Sequence, residues 1–258
     1  MPVRTGYQPG TPSWVDIGTD VEGAKQFYGG LFGWEAREAG PPEETGGYGF
    51  FVKKGKMVAG YGPQQNPGPP VWTTYVAVAD AGESTKKVEG AGGTVVVPPM
   101  EVMAAGTMAV FQDPQGAFIS VWQPADHKGA ELVNEPGSFS WAELNTRDVE
   151  GSKAFYRAVF GWEPVTHGEG PGAYTEFKLG GDSIAGMMQM PAMVPAEVPP
   201  HWVVYFAVED TDATVTTCQE LGGSVRVPPM DIEPGRLAVL ADPQGGTFAV
   251  MRMNEPGR

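Results

Sequence analysis

Few residues in this chain can carry chemistry, and their positions narrow what that chemistry is. Its three histidines are His127, His167 and His201, and its single cysteine is Cys218. Two carboxylates are singled out by spacing: Asp16 and Glu143 each follow a tryptophan by two residues, in Trp14-Val15-Asp16 and Trp141-Ala142-Glu143. Residues two apart on a strand share a face, so each Trp and its carboxylate point the same way, and His201 shares a face with Val203 and Tyr205. A carboxylate in a semi-apolar setting has its pKa raised and can serve as a general base, with an imidazole as acid. The same carboxylate can equally accept a hydrogen bond from an indole or a ligand hydroxyl. Cys218 has no basic neighbour and no helix N-terminus beside it, and reads as a buried small hydrophobe. His127, in the Pro/Gly-containing stretch 124–137, and His167, in a Gly-rich loop, read as solvated. There is no glycine-rich phosphate loop, no Ser-His-Asp order and no Cys-x-x-Cys, so nucleotide cofactors have no landing place.

The elements that must position these groups come in pairs, because the chain repeats at an offset of about 128 residues. Trp14-Val15-Asp16-Ile17 answers Trp141-Ala142-Glu143-Leu144, Gly33-Trp34-Glu35 answers Gly161-Trp162-Glu163, and Asp113-Pro114-Gln115-Gly116 answers Asp242-Pro243-Gln244-Gly245. Two Val-Pro-Pro-Met runs, at 97–100 and 227–230, complete the correspondence. The repeat predicts a first domain over 1–127 with its core at 10–124, and a second over 128–258 with its core at 137–253. At 258 residues, 41% hydrophobic and with seven Trp, each half can fill a core.

Each half starts with a strand carrying its Trp and continues into an amphipathic helix. Ala24, Phe27, Tyr28, Leu31 and Phe32 form one apolar stripe, matched by Ser152, Phe155, Tyr156, Val159 and Phe160. Gly33 and Gly161 end the helices, and strands follow at 48–53, 57–61, 174–179 and 183–188. Pro/Gly-rich crossovers at 63–70 and 191–200 precede a second strand (71–79, 201–208), a second helix (81–90, 211–221) and three more strands. The Asp-Pro-Gln-Gly runs suit type I turns closing hairpins. The order strand, helix, three strands therefore occurs four times, a mixed α+β class of tandem βαβββ modules.

This arrangement, with Asp20 to Trp34 and Asp148 to Trp162 as Asp-led helices ending in Phe-Gly-Trp, resembles the vicinal oxygen chelate superfamily of glyoxalase I, bleomycin-resistance proteins and extradiol dioxygenases. More narrowly it resembles the actinobacterial two-domain subgroup labelled glyoxalase-like or hydroxylase, which includes mycobacterial culture-filtrate antigens and an accessory protein of anthracycline biosynthesis. The resemblance implies curled sheets, each forming a cup, and a divalent metal held by residues on the first strand, the strand after the crossover and the last strand. Carried onto this sequence, those positions are Trp14, Thr73 and Ser120 in one half and Trp141, Val203 and Ala249 in the other. None is an ordinary ligand for Zn, Ni or Fe, so the expectation is no metal and no other cofactor.

In phase with the vacated positions lie Trp14, Asp16, Thr73, Tyr75, Ser120 and Trp122 in the first cup, and Trp141, Glu143, His201, Tyr205 and Met251 in the second. Phe118 is also in phase, whereas Trp72 and Trp202 are out of phase and belong to the helix side. Met187, Met188, Met190 and Met193 suit either an adaptable pocket lip or ordinary packing. The leading expectation is a metal-independent small-molecule binding protein sheltering an apolar or aromatic ligand, in antibiotic biosynthesis or resistance. The alternative is a cofactor-free or atypical glyoxalase-like lyase, isomerase or hydroxylase with Glu143 as base and His201 as acid, since only the second half pairs the two and Val71 stands where His201 does. A net charge of −14 argues against nucleic acid and anionic membrane as partners. With one cysteine, no apolar leader after Met1 and no spanning apolar run, a reducing cytoplasm is expected. The molecule is expected as a monomer with pseudo-dimeric domains or as a homodimer.

Overall fold

The computed structural model describes residues 3–65 and 67–254. Met1, Pro2, residues 255–258 and Asn66 of the first crossover, all within ranges named above, lie outside them. The first half comprises β1 (Pro12–Thr19), α1 (Val21–Phe32), β2 (Glu35–Glu38), α2 (Pro42–Thr45), β3 (Gly49–Lys53), β4 (Lys56–Pro63), β5 (Val71–Ala77), α3 (Ala81–Gly90), β6 (Thr94–Val102), β7 (Gly106–Gln112) and β8 (Phe118–Pro124). The second comprises β9 (Ser138–Thr146), α4 (Val149–Phe160), β10 (Glu163–His167), β11 (Tyr174–Leu179), β12 (Asp182–Gln189), β13 (His201–Ala207), α5 (Thr211–Glu220), β14 (Ser224–Ile232), β15 (Gly235–Ala241) and β16 (Thr247–Met253). Both halves form eight-stranded mixed sheets of matching order, β2-β3-β4-β1-β5-β8-β7-β6 and β10-β11-β12-β9-β13-β16-β15-β14. The short β2, β10 and α2 carry no clear sequence signal, because charged or proline-containing stretches mask them.

Local chemistry sets the helix limits. Asp20, Asp80, Asp148 and Asp210 cap the N-termini by accepting from backbone N–H groups three residues on. Gly33 and Gly161 end α1 and α4 in the left-handed region, at φ 69° and 73°, which a residue with a Cβ adopts at a cost.

The apolar stripes of α1 and α4 do not stay within their own halves. Each reaches the Asp-Pro-Gln-Gly hairpin of the other: Tyr28 Oη donates to Asp242 Oδ2 at 2.8 Å, and Tyr156 Oη donates to Asp113 Oδ2 at 2.9 Å. Trp72 and Trp202 donate in turn to those hydroxyls, each at 3.0 Å. Asp113 also accepts from the backbone of Gln115 and Ala117, and Asp242 from Gln244 and Gly246. Trp34 and Trp162 cross over as well, donating to the carbonyls of Gly137 and Gly10. One core, containing Phe32, Trp34 and Trp72 beside Phe206 and Phe248, therefore runs through both halves.

The opposite faces of the sheets carry separate apolar clusters, Trp14, Tyr75, Trp122 and Ala130 in one cup and Val203, Tyr205, Leu237 and Ala249, with Trp141 and Met251 beside them, in the other. Alternation has placed Trp14 and Trp141 in the cups and Trp72 and Trp202 against the helices, as the spacing requires. At the sheet edges, the Val-Pro-Pro-Met runs sit in β6 and β14, where the register gains one residue between Val97 and Met100 and between Val227 and Met230. Proline lacks a ladder N–H and is tolerated at such bulged edge positions.

Candidate functional site

Strand register brings the two carboxylates to the floor of their cups. Asp16 lies opposite Thr73 on β5 and Gly60 on β4, and Glu143 opposite Val203 on β13 and Gly186 on β12. Gly60 and Gly186 are required there. A Cβ at Gly60 would run into the Tyr48 phenol, and one at Gly186 into the Tyr174 phenol, because each ring lies across the bare strand to reach the carboxylate. Tyr48 Oη donates to Asp16 Oδ2 at 3.0 Å and itself accepts from the Trp14 indole at 3.0 Å. In the second cup the Trp141 indole donates to Tyr174 Oη at 2.9 Å, and Tyr205 Oη donates to Glu143 Oε1 at 3.0 Å. Neither Tyr48 nor Tyr174 was singled out from sequence. The available signal was the Gly at matching places in β4 and β12, whose open strand surface admits a large neighbour.

Burial raises the pKa of both carboxyls. Asp16 is pushed up to about 6, with hydrogen bonds from Tyr75 and Tyr48 opposing the shift. Glu143 is also raised by burial, against hydrogen bonds from Tyr205, Tyr174 and Asn145. His201 is not among the groups bonded to Glu143. It stands two pairs further along, opposite Asn145, partly exposed at the rim, and its Nδ1 is bonded to the Pro199 carbonyl at 2.8 Å. The second cup thus gathers Trp141, Glu143, Tyr205 and Met251 on one face, with His201 at its edge.

In the first cup Trp14, Tyr75, Ser120 and Trp122 are buried, and Asp16 and Thr73 partly so. Phe118, although in phase, is 53% exposed and lies outside the cluster. Met187 and Met190 are buried, Met188 partly so, and Met193 is 89% exposed. Cys218 is fully buried, which pushes its thiol up to about 11. His167 is exposed beside Glu176, as read from sequence.

His127 departs from its expected solvation. It is 9% exposed, with its ring 4.4 Å from that of Trp14 in an edge arrangement, while Phe50 and Trp122 close around it. Burial pushes its pKa down to about 4, so the ring is neutral near pH 7 and packs as an apolar body. Two surface grooves, of about 350 and 250 Å³, lie outside the cups, beside Lys153 of α4 and Lys25 of α1.

The profile of the Glyoxalase/Bleomycin resistance protein/Dioxygenase superfamily matches residues 17–121 and 138–250. The chain belongs to this superfamily. Among superfamily members, the anthracycline biosynthesis protein DauV of Streptomyces sp. (strain C5) is 41% identical over 97% of this chain and 96% of its own length. The putative glyoxylase CFP32 of Mycobacterium tuberculosis is 42% identical over 98% of each. At the level of fold alone, the chain is similar to the Mn(II)-bound glyoxalase of Novosphingobium aromaticivorans, with a TM-score of 0.66, 16% identity and coverage of 96% and 83%. It is likewise similar to the 2,3-dioxygenase LapB of Pseudomonas sp. KL28, with a TM-score of 0.65, 13% identity and coverage of 96% and 94%.

The metal that the superfamily implies does not fit these cups. The donor positions are occupied by two indoles already bonded to tyrosines, a valine, an alanine, a threonine and a fully buried serine. Among the described residues no group of three His, Cys, Asp or Glu converges to hold an ion. No helix among them is long and apolar enough to cross a membrane.

Proposed function

We propose that this superfamily member binds a planar, hydroxylated aromatic molecule of the polyketide type in its second cup, without a metal. The supporting observation is the state of Glu143. It is buried and held by Tyr205, and its neighbours are hydroxyl and amide groups rather than the His201 imidazole. Such a carboxylate orients a ligand hydroxyl, and Trp141 and Met251, both partly exposed, offer the apolar faces on which a ring stacks. The anthracycline-biosynthesis relatives support the ligand class.

The test is titration with quinizarin, a dihydroxyanthraquinone, followed by tryptophan quenching and equilibrium dialysis. Saturable binding is expected, weakened about 10-fold in Glu143→Gln by loss of a charge-assisted hydrogen bond, with the probe recovered unchanged. Conversion of a polyketide or carbonyl substrate by the parent, abolished in a folded Glu143→Gln variant, would instead establish the alternative, an enzyme using Glu143 as base.

A further inference from the structure

The segment joining the two halves does not run free over the surface. It leaves β8 along the β6–β7 turn, where the N–H groups of Ala125 and His127 donate to the Ala105 carbonyl and that of Asp126 donates to Ala104. It then crosses to the opposite side of the mouth. There Ala130 N–H donates to Ser13 O and Glu131 N–H to Met57 O, each at 2.8 Å. The Glu131 carboxylate accepts from Met57 N–H at 2.8 Å, and Tyr7 Oη donates to the Ala130 carbonyl at 2.6 Å. Between these anchorages His127 is inserted against Trp14, its carbonyl accepting from the Trp122 indole at 2.8 Å. Gly129 passes close over Ser13 on a positive φ of 110°, leaving no room for a Cβ.

The halves differ on this point. Trp14 is 2% exposed and Trp122 6%, whereas Trp141 and Met251 at the matching places remain partly exposed, and among the described residues no ring packs on Trp141. After β16 the second half repeats the first of these bonds, with Asn254 N–H donating to Pro234 O on the β14–β15 turn.

We infer that residues 125–133 are a strap whose His127 side chain occupies the aromatic end of the first cup, so that the protein takes one ligand per chain, in the second cup. This rests on the binding reading above and adds stoichiometry and site choice to it. A bound aromatic ring would need the place beside Trp14 that His127 fills. Displacing the strap would break hydrogen bonds at both anchorages and re-expose Trp14 and Trp122, whereas among the described residues no ring covers Trp141 in the second cup.

Hydrogen exchange read by mass spectrometry tests the strap with and without probe. In the absence of ligand, the amides of Ala130 and Glu131 should exchange as slowly as the strands they bond; exchange at the rate of an unstructured segment overturns the inference whatever the protein binds. With quinizarin, protection should rise in β9, β13 and β16 and stay unchanged in β1, β5 and β8, at one equivalent per chain. Equal protection of both halves, or two equivalents, refutes it. His127→Ala should open a second, weaker site; a variant that still binds one equivalent counts against His127 as the occupant. A slow-exchanging strap with no quinizarin bound would refute one ligand per chain together with the binding reading, while leaving the strap itself established.

Discussion

The Tyr28 hydroxyl, on the first helix of one half, donates at 2.8 Å to Asp242 in the last hairpin of the other, and Tyr156 makes the reciprocal bond to Asp113. Each half therefore lacks a partner for one oxygen, Oδ2, of a buried carboxylate unless the other is folded against it. The protein is expected to unfold in a single calorimetric transition. Tyr28→Phe should cost about 3 kcal/mol in chemical denaturation, since it strands both the Asp242 oxygen and the Trp72 N–H in the core. Two separated transitions, or a loss below about 0.5 kcal/mol, would show that the halves do not depend on this bond.

Metal content provides an independent check on the cups. Protein purified without a histidine tag should carry well under one equivalent of Zn, Ni, Fe or Mn by elemental analysis, because indole, valine and alanine side chains do not coordinate these ions. A stoichiometric ion that survives mild chelation would mean the donors lie elsewhere in the chain.

The pH dependence of stability separates two buried groups of opposite sign. Asp16 has a folded pKa raised to about 6, so its contribution is present in full below its ordinary value near 4 and is lost as pH rises towards 6. His127 has a folded pKa lowered to about 4, so its contribution is present above about 6.5 and is lost as pH falls, on the order of 3 kcal/mol by pH 4. Asp16→Asn should therefore steepen the net acid-side loss of stability, and His127→Phe should flatten it. Denaturation midpoints measured from pH 4 to 7 distinguish these outcomes; parallel curves for both variants contradict the assignment.

Gly186→Ala probes the second cup without replacing any of its polar side chains. The added methyl meets the Tyr174 phenol and crowds the Trp141 indole, so Tyr174 must withdraw from Glu143. Binding of quinizarin should weaken at least 10-fold, with a stability cost of about 1–3 kcal/mol. Gly60→Ala in the first cup should incur a similar stability cost and leave binding alone. Equal loss of binding in both variants would argue that the first cup contributes to the site.

Much of this architecture was legible in the residues. Period-two alternation sorted Trp14 from Trp72 and Trp141 from Trp202, and the internal repeat fixed four modules. What alternation could not reveal is which copy a side chain meets. Tyr28 and Tyr156 read as core of their own halves, yet they serve the opposite hairpins, since two equal repeats carry no label for partner choice. His127 read as solvated because its Pro/Gly neighbourhood lacks periodicity, and only the closing of the chain over Trp14 makes it interior. Tyr48 and Tyr174 were missed because their role depends on an empty strand position, a property of Gly60 and Gly186 rather than of the tyrosines.

The doubled prolines of β6 and β14 govern how molecules of this kind can meet one another. Growth of a sheet by addition of another chain's strand, the geometry of fibrils, needs an unbroken row of N–H donors along an edge. Pro98 and Pro99 interrupt that row at one terminus of the first sheet, and Pro228 and Pro229 do the same in the second. The opposite termini are short strands bearing Glu35, Arg37 and Glu38, or Glu163 beside Pro164. With every rim blunted in this way, a long-range β topology that folds slowly can be populated in a partly assembled state without templating its neighbours, and any association of the finished protein must proceed through side-chain surfaces instead of backbone.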